Sequence, residues 1–240
     1  MASLYSQTSR SWHELLVRGD ETALLWVRRP DRKAIPLCLF TIFAGVGVYG
    51  ASIGIWQGPK MALYTAIKLP LIILITLTVN GMINGMLAQL LGSRLSFAQT
   101  AFAILTAFTV FSLIVLSLSP ITFGMAFDLP APDSRDAEVT HRRLLLIHTA
   151  IIALAGLTST GRLFQLLTHF TETVAAARCC FTVLVFGNLF VGAQISYLLR
   201  PIFGQPGLKI EFLRPDIFRG NFYESVWWAP PIRSRHNMRH

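Results

Sequence analysis

Residues 71–120 read LIILITLTVNGMINGMLAQLLGSRLSFAQTAFAILTAFTVFSLIVLSLSP, and their only charged side chain is Arg94. A hydrocarbon core about 30 Å thick is crossed by about 20 apolar helical residues. The stretch is long enough for two such crossings, turned back on each other at GSRLS. Working outward, three more apolar runs approach that length. The predicted spans are residues 35–56, 62–91, 97–120, 144–161 and 177–199, the fourth being cut short by Arg162. The second run is long for one crossing, so Pro70 is expected to kink or start it. GPKMALYTAIK would then lie near the interface, with Lys68 snorkelling to the headgroups.

Composition supports this reading. Over 240 residues, 53% are hydrophobic and 14% charged, with a mean hydropathy of +0.54. That is too little polar material to coat a soluble globule of this size. The fold class is therefore all-α, an integral membrane five-helix bundle. The expected division is a juxtamembrane segment 1–34, a transmembrane domain 35–203 and an extended tail 204–240. The net charge of +9 is spread around the ends of the apolar runs rather than gathered on a nucleic-acid-binding motif. Membrane lipids with anionic headgroups are the expected counter-charge, and no nucleic acid is expected. Cys38, Cys179 and Cys180 lie at or inside spans and read as small apolar groups rather than a disulfide framework.

In the first segment, SWHELLVRG (residues 11–19) carries a Ser11/Glu14 capping box and a Gly19 stop. A second start follows at Asp20 and ends at Pro30. Trp12, Leu15, Leu16, Ala23, Leu24 and Val27 suit helices lying on the membrane surface, or a hairpin docked on the protein's own loops. The segment lacks the continuous apolar core of a cleavable leader, so the N-terminus is expected to be retained. Arg28, Arg29, Arg32 and Lys33 precede the first span and favour a cytoplasmic N-terminus in a bacterial inner membrane. The totals point the other way: nine Lys/Arg fall on that face and twelve on the opposite one, seven of those in the tail. Charges far from a span weigh little, so the first-helix signal is preferred.

NGMINGM (residues 80–86) is the sharpest feature inside the spans. Asn80 and Asn84 share a helical face, as do Gly81 and Gly85. Gly50 and Gly54 repeat the G-x-x-x-G spacing, and Asn188, Gly192 and Gln194 add small and polar groups to the last span. Glycines admit a neighbouring backbone, and amides bond across helices at about 0.6–2 kcal/mol each. The other reading is a polar site for an ion or solute at mid-bilayer. Helix packing is preferred because no span contains an acidic residue. His148 is the one histidine well placed in a span. A neutral imidazole there suits a haem iron or chlorophyll magnesium, although a hydrogen bond to a neighbouring helix is the commoner role. No nucleophile, Walker or metalloprotease pattern occurs in suitable context.

The tail EFLRPDIFRGNFYESVWW (residues 211–228) concentrates Phe212, Phe218, Phe222, Tyr223, Trp227 and Trp228 among Arg214, Asp216, Arg219 and Glu224. Aromatic rings of this kind favour the headgroup region. Pro201, Pro206, Pro215, Pro230 and Pro231 deny the tail long helices, so an extended lid over the helix ends or a partner-docking segment is expected.

KLPLIILITLTVNGMINGMLAQLLGSRLSFAQTAFAIL with LSLSP, and GNLFVGAQISYLLRPIFGQPGLKIEFLRPDIFRGNFYE, resemble the bacterial branch of Yip1-like membrane proteins over roughly residues 35–224. The resemblance implies a non-enzymatic helical membrane protein and brings no catalytic residues. The long tail departs from eukaryotic relatives, so their trafficking role is not carried over. The expected function is a structural, scaffolding or assembly subunit of a membrane complex, with other membrane subunits as partners and no cofactor. The contrasting readings are a small-solute or ion transporter using Asn80, Asn84 and Asn188, and a pigment- or haem-binding subunit using His148.

Overall fold

The computed structural model describes Leu24, Val27 and residues 34–90, 96–171, 173–207, 209–214 and 220–227, excepting the side chains of 84, 85, 87–90 and 225–227. Five long helices follow one another: α1 (Ala34–Gly54), α2 (Pro59–Leu90), α3 (Phe97–Asp128), α4 (Ala137–Thr168) and α5 (Val174–Leu198). A short α6 (Phe222–Trp227) closes the described chain, and no strand occurs among the described residues. All five long helices are long and apolar enough to cross a membrane. The chain is an integral membrane protein with an all-helical bundle.

Local signals explain the boundaries. Ile55–Gln57 form a 3-10 turn, Gly58 takes a φ of 120°, and Pro59 opens α2 with its ring pre-set for a first helical turn. Pro70 therefore neither starts nor ends α2 but lies inside it. α3 likewise runs past Pro120 to Asp128, and α4 runs through Arg162 to Thr168. Both extend the predicted spans for the same reason. One missing N–H or one flanking cation does not end a helix whose neighbours still bury it. Ser96 and Gln99 form a capping box at the start of α3, and Thr173 accepts from the Ala176 amide at the start of α5. At 32 residues each, α2, α3 and α4 are about 48 Å long, so their ends stand clear of the hydrocarbon or the helices tilt.

α1 packs on both α2 and α3; α2 also meets α5, and α4 bridges α3 and α5. The main core joins Ile42, Val46 and Tyr49 of α1 to Ile104 and Val115 of α3, Leu163 and Leu167 of α4, and Leu184 of α5. Helical Val27 is fully buried in that core and Leu24 packs against it, so this part of the N-terminal segment docks on the bundle. The Ser11/Glu14 capping box and its helix lie outside the described residues.

Candidate functional site

Close approach of α1 and α2 depends on glycine. A Cβ built on Gly50 would lie 2.5 Å from the Thr65 carbonyl oxygen, and one on Gly54 would lie 2.6 Å from that of Met61. Gly47 faces the Ala66 carbonyl at 3.3 Å in the same way, and Gly45 faces Ser112 of α3. Gly50 and Gly54 are thus packing residues, as their spacing suggests. Gly81 is different: its nearest neighbour is the Ala101 methyl at 3.9 Å, which is ordinary contact. Asn84 and Gly85 continue α2, and their surroundings lie outside the described side chains.

Asn80 is 1% exposed, and neither its Oδ1 nor its Nδ2 has a hydrogen-bond partner. One turn earlier, buried Thr76 Oγ1 is also unpartnered, as is Asn188 Oδ1 on α5. The pairings Thr65 with Ile202 and Thr76 with Gly192 show α2 and α5 running antiparallel, which brings Asn80 level with Asn188. Neither the Asn80 amide nor the Asn188 Oδ1 makes the bond across helices expected of it, and each buried unpartnered polar group costs about 1–3 kcal/mol. Gln194 also departs from the packing expectation: its Oε1 accepts from the Phe222 amide at 3.1 Å and so holds the tail.

His148 is buried, with Nδ1 3.0 Å from the Tyr49 hydroxyl. Its ring lies 5.6 Å from the Tyr49 ring and 6.0 Å from that of Phe203. The imidazole links α4 to α1 through Nδ1. Among the described residues no group of three His, Cys, Asp or Glu side chains suits a metal.

The richest polar chemistry lies where the tail returns over the ends of α1, α2 and α5. Lys68 does not snorkel. Nine residues past the start of α2, it is 0% exposed, donates to the Pro201 carbonyl at 2.7 Å and lies 5.1 Å above the Phe212 ring. Thr65 donates to the Ile202 carbonyl, Phe212 meets Tyr64 edge-on at 5.2 Å, and Gly204 is pressed against the Gln57 side chain. Farther along, the Tyr223 hydroxyl donates to the Phe190 carbonyl at 2.8 Å, with the two rings stacked at 4.7 Å. Trp56 ties the same end to the α3–α4 loop by donating to the Pro130 carbonyl.

No family model, curated protein or solved structure matches this chain. Its site is therefore read from its own geometry. Residues 201–207, 209–214 and 220–223 form a lid on the chain's own helices, one of the two arrangements open to an aromatic tail. Of the tail residues singled out in the sequence, Phe212, Phe222 and Tyr223 make these contacts, while Arg214 borders a cavity of about 390 Å³ beneath the lid. Trp227 lies in α6, and Asp216, Phe218 and Trp228 lie outside the described residues. Sequence reading missed Thr65 and Gln57 and gave Lys68 a headgroup role in place of its bond to the Pro201 carbonyl. A lysine set well inside an apolar helix, rather than at its end, was the available signal for Lys68.

Proposed function

We propose that the chain is a non-enzymatic structural or assembly subunit of a bacterial inner-membrane complex, of the Yip1-like kind, with its N-terminus cytoplasmic. One observation carries this reading. α4 turns outward a face of Ala150, Ala153, Leu154, Leu157, Thr158 and Gly161, all exposed. A Cβ on Gly156 or Gly161 would meet nothing within 4 Å. A mid-helix glycine costs about 0.5–1 kcal/mol relative to alanine. The α1 glycines offset that cost by admitting α2, whereas the α4 glycines have no such neighbour among the described residues. The occupant that suits such a face is a transmembrane helix of a partner subunit, because small residues allow close backbone approach within lipid. Only 22% of the most apolar part of α4 and 17% of that of α5 is buried, against 56% for α3, leaving room for that helix beside α4.

The test is purification in mild detergent of the native chain and of Ala150→Leu and Gly161→Leu, both on that exposed face. Loss of co-purifying membrane subunits, with helicity and monomer stability unchanged, supports the reading. Undiminished association overturns it.

A second reading, a pathway for a small polar solute, is favoured by the unpartnered Thr76, Asn80 and Asn188 groups. Replacing Asn80 and Asn84 together by Leu would abolish flux in reconstituted vesicles under that reading and leave no flux defect under the first.

A further inference from the structure

The cavity under the lid is bordered by Met61 and Phe203 on its apolar side and by Gln57, Lys209, Glu211 and Arg214 on its polar side. Its volume of about 390 Å³ falls in the range of small-molecule sites, roughly 300–1,000 Å³. Three features give it a preference for negative charge. Lys209 and Arg214 outnumber Glu211. The Gln57 Nε2 donor is buried without a partner. The α2 N-terminus, which starts at Pro59 and contributes Met61 to the wall, places the positive end of a helix macrodipole there.

Lys68 adds an independent reason. Its ammonium is buried and bonded to the carbonyl of Pro201, itself a wall residue. A carbonyl and the face of Phe212 surround it, and no acidic side chain among the described residues pairs with it. A buried cation whose described partners are dipoles is costly, and a nearby anion offsets that cost.

The geometry points to the lid cavity as a binding site for a phosphate group, held by Arg214, Lys209 and Gln57, with its organic substituent against Met61 and Phe203. Arginine suits this role because its planar guanidinium donates two parallel hydrogen bonds to phosphate oxygens. The position at the helix ends places the site where phospholipid headgroups lie, so the headgroup of a membrane lipid is the expected source. Glu211, on the same wall, suits the ammonium of a phosphoethanolamine headgroup.

The experiment uses the full chain in two arms. In the first, protein reconstituted with phosphatidylethanolamine is released into detergent and its bound lipid counted by native mass spectrometry. In the second, lipid-stripped protein is titrated with inorganic phosphate while its thermal midpoint is followed. Wild-type protein should retain one phospholipid, and Lys209→Ala/Arg214→Ala should lower occupancy by roughly tenfold or more, the scale of one charge-assisted hydrogen bond. Circular dichroism checks that the double variant is folded. Glu211→Gln, which removes the one acid on the wall, should bind phosphate at least as well as wild type. Phosphate protection sensitive to the double variant, without lipid retention, assigns the site to a soluble phosphate compound. Equal lipid occupancy and equal phosphate response in wild type and a folded double variant overturn the proposal.

Discussion

Replacing Gly50 by alanine places a methyl group 2.5 Å from the Thr65 carbonyl oxygen, 2.9 Å from its carbonyl carbon and 3.1 Å from the Ala66 Cα. All three are backbone atoms of α2, so no rotamer change relieves the clash. Ordinary contact begins near 3.4 Å, so α1 and α2 must separate locally by about 0.9 Å. A gap of that size forfeits a quarter to a half of the attraction between each pair of facing atoms. Overpacking of this kind costs about 1–3 kcal/mol, and the better helix propensity of alanine returns about 0.5–1 kcal/mol. The expected net loss is about 0–2.5 kcal/mol, larger for Gly50→Leu, and the difference from a substitution that gains the same propensity without the clash is about 1–3 kcal/mol. The control is Gly156→Ala, where the same methyl enters open space and propensity alone should leave stability equal or slightly raised. Unfolding of both variants in mixed detergent micelles, followed by circular dichroism, measures the difference. Equal stability of Gly50→Ala and Gly156→Ala would refute the account of the glycine seam.

Three further outcomes follow from the same contacts. Lys68→Met removes the bond to Pro201 and the cation over Phe212, so amide exchange over residues 201–214 should rise while α1 and α3 stay protected; unchanged exchange would show the lid is held by other contacts. Tyr49→Phe deletes the hydroxyl bonded to His148 and should cost about 1–3 kcal/mol in unfolding experiments, since it leaves a buried ring nitrogen unpaired; a neutral result would contradict that pairing. Asn80→Leu removes an amide without a partner and should leave stability unchanged or raise it; marked destabilisation would mean that the amide is satisfied in the membrane.

Helix count and order were legible because lipid imposes one strong rule, about 20 apolar residues per crossing, which outweighs local detail. The same rule bounded the third span near residue 120 and let Arg162 cut the fourth short, although α3 and α4 run past both. The G-x-x-x-G spacing identified Gly50 and Gly54 but did not separate them from Gly81, since the pattern marks a face and is silent on whether a neighbour reaches it. The lid was legible only as a class of segment. Its anchors, Thr65 to Ile202, Lys68 to Pro201 and Tyr223 to Phe190, all end on backbone carbonyls, which every residue type possesses and no pattern advertises. Gln194 was read as a packing amide for a related reason: its partner is a backbone N–H brought in from 28 residues away.

The measurement that bears most directly on a five-span bundle with a lidded end is cysteine labelling in sealed vesicles, using single cysteines placed in a cysteine-free chain. Five crossings put Asp133, between α3 and α4, on the same side as Lys209 in the lid, and Ser96, before α3, on the opposite side. An impermeant maleimide should therefore label positions 133 and 209 together and leave position 96 for the opposite vesicle orientation. Labelling of positions 96 and 209 from the same side would contradict the fold.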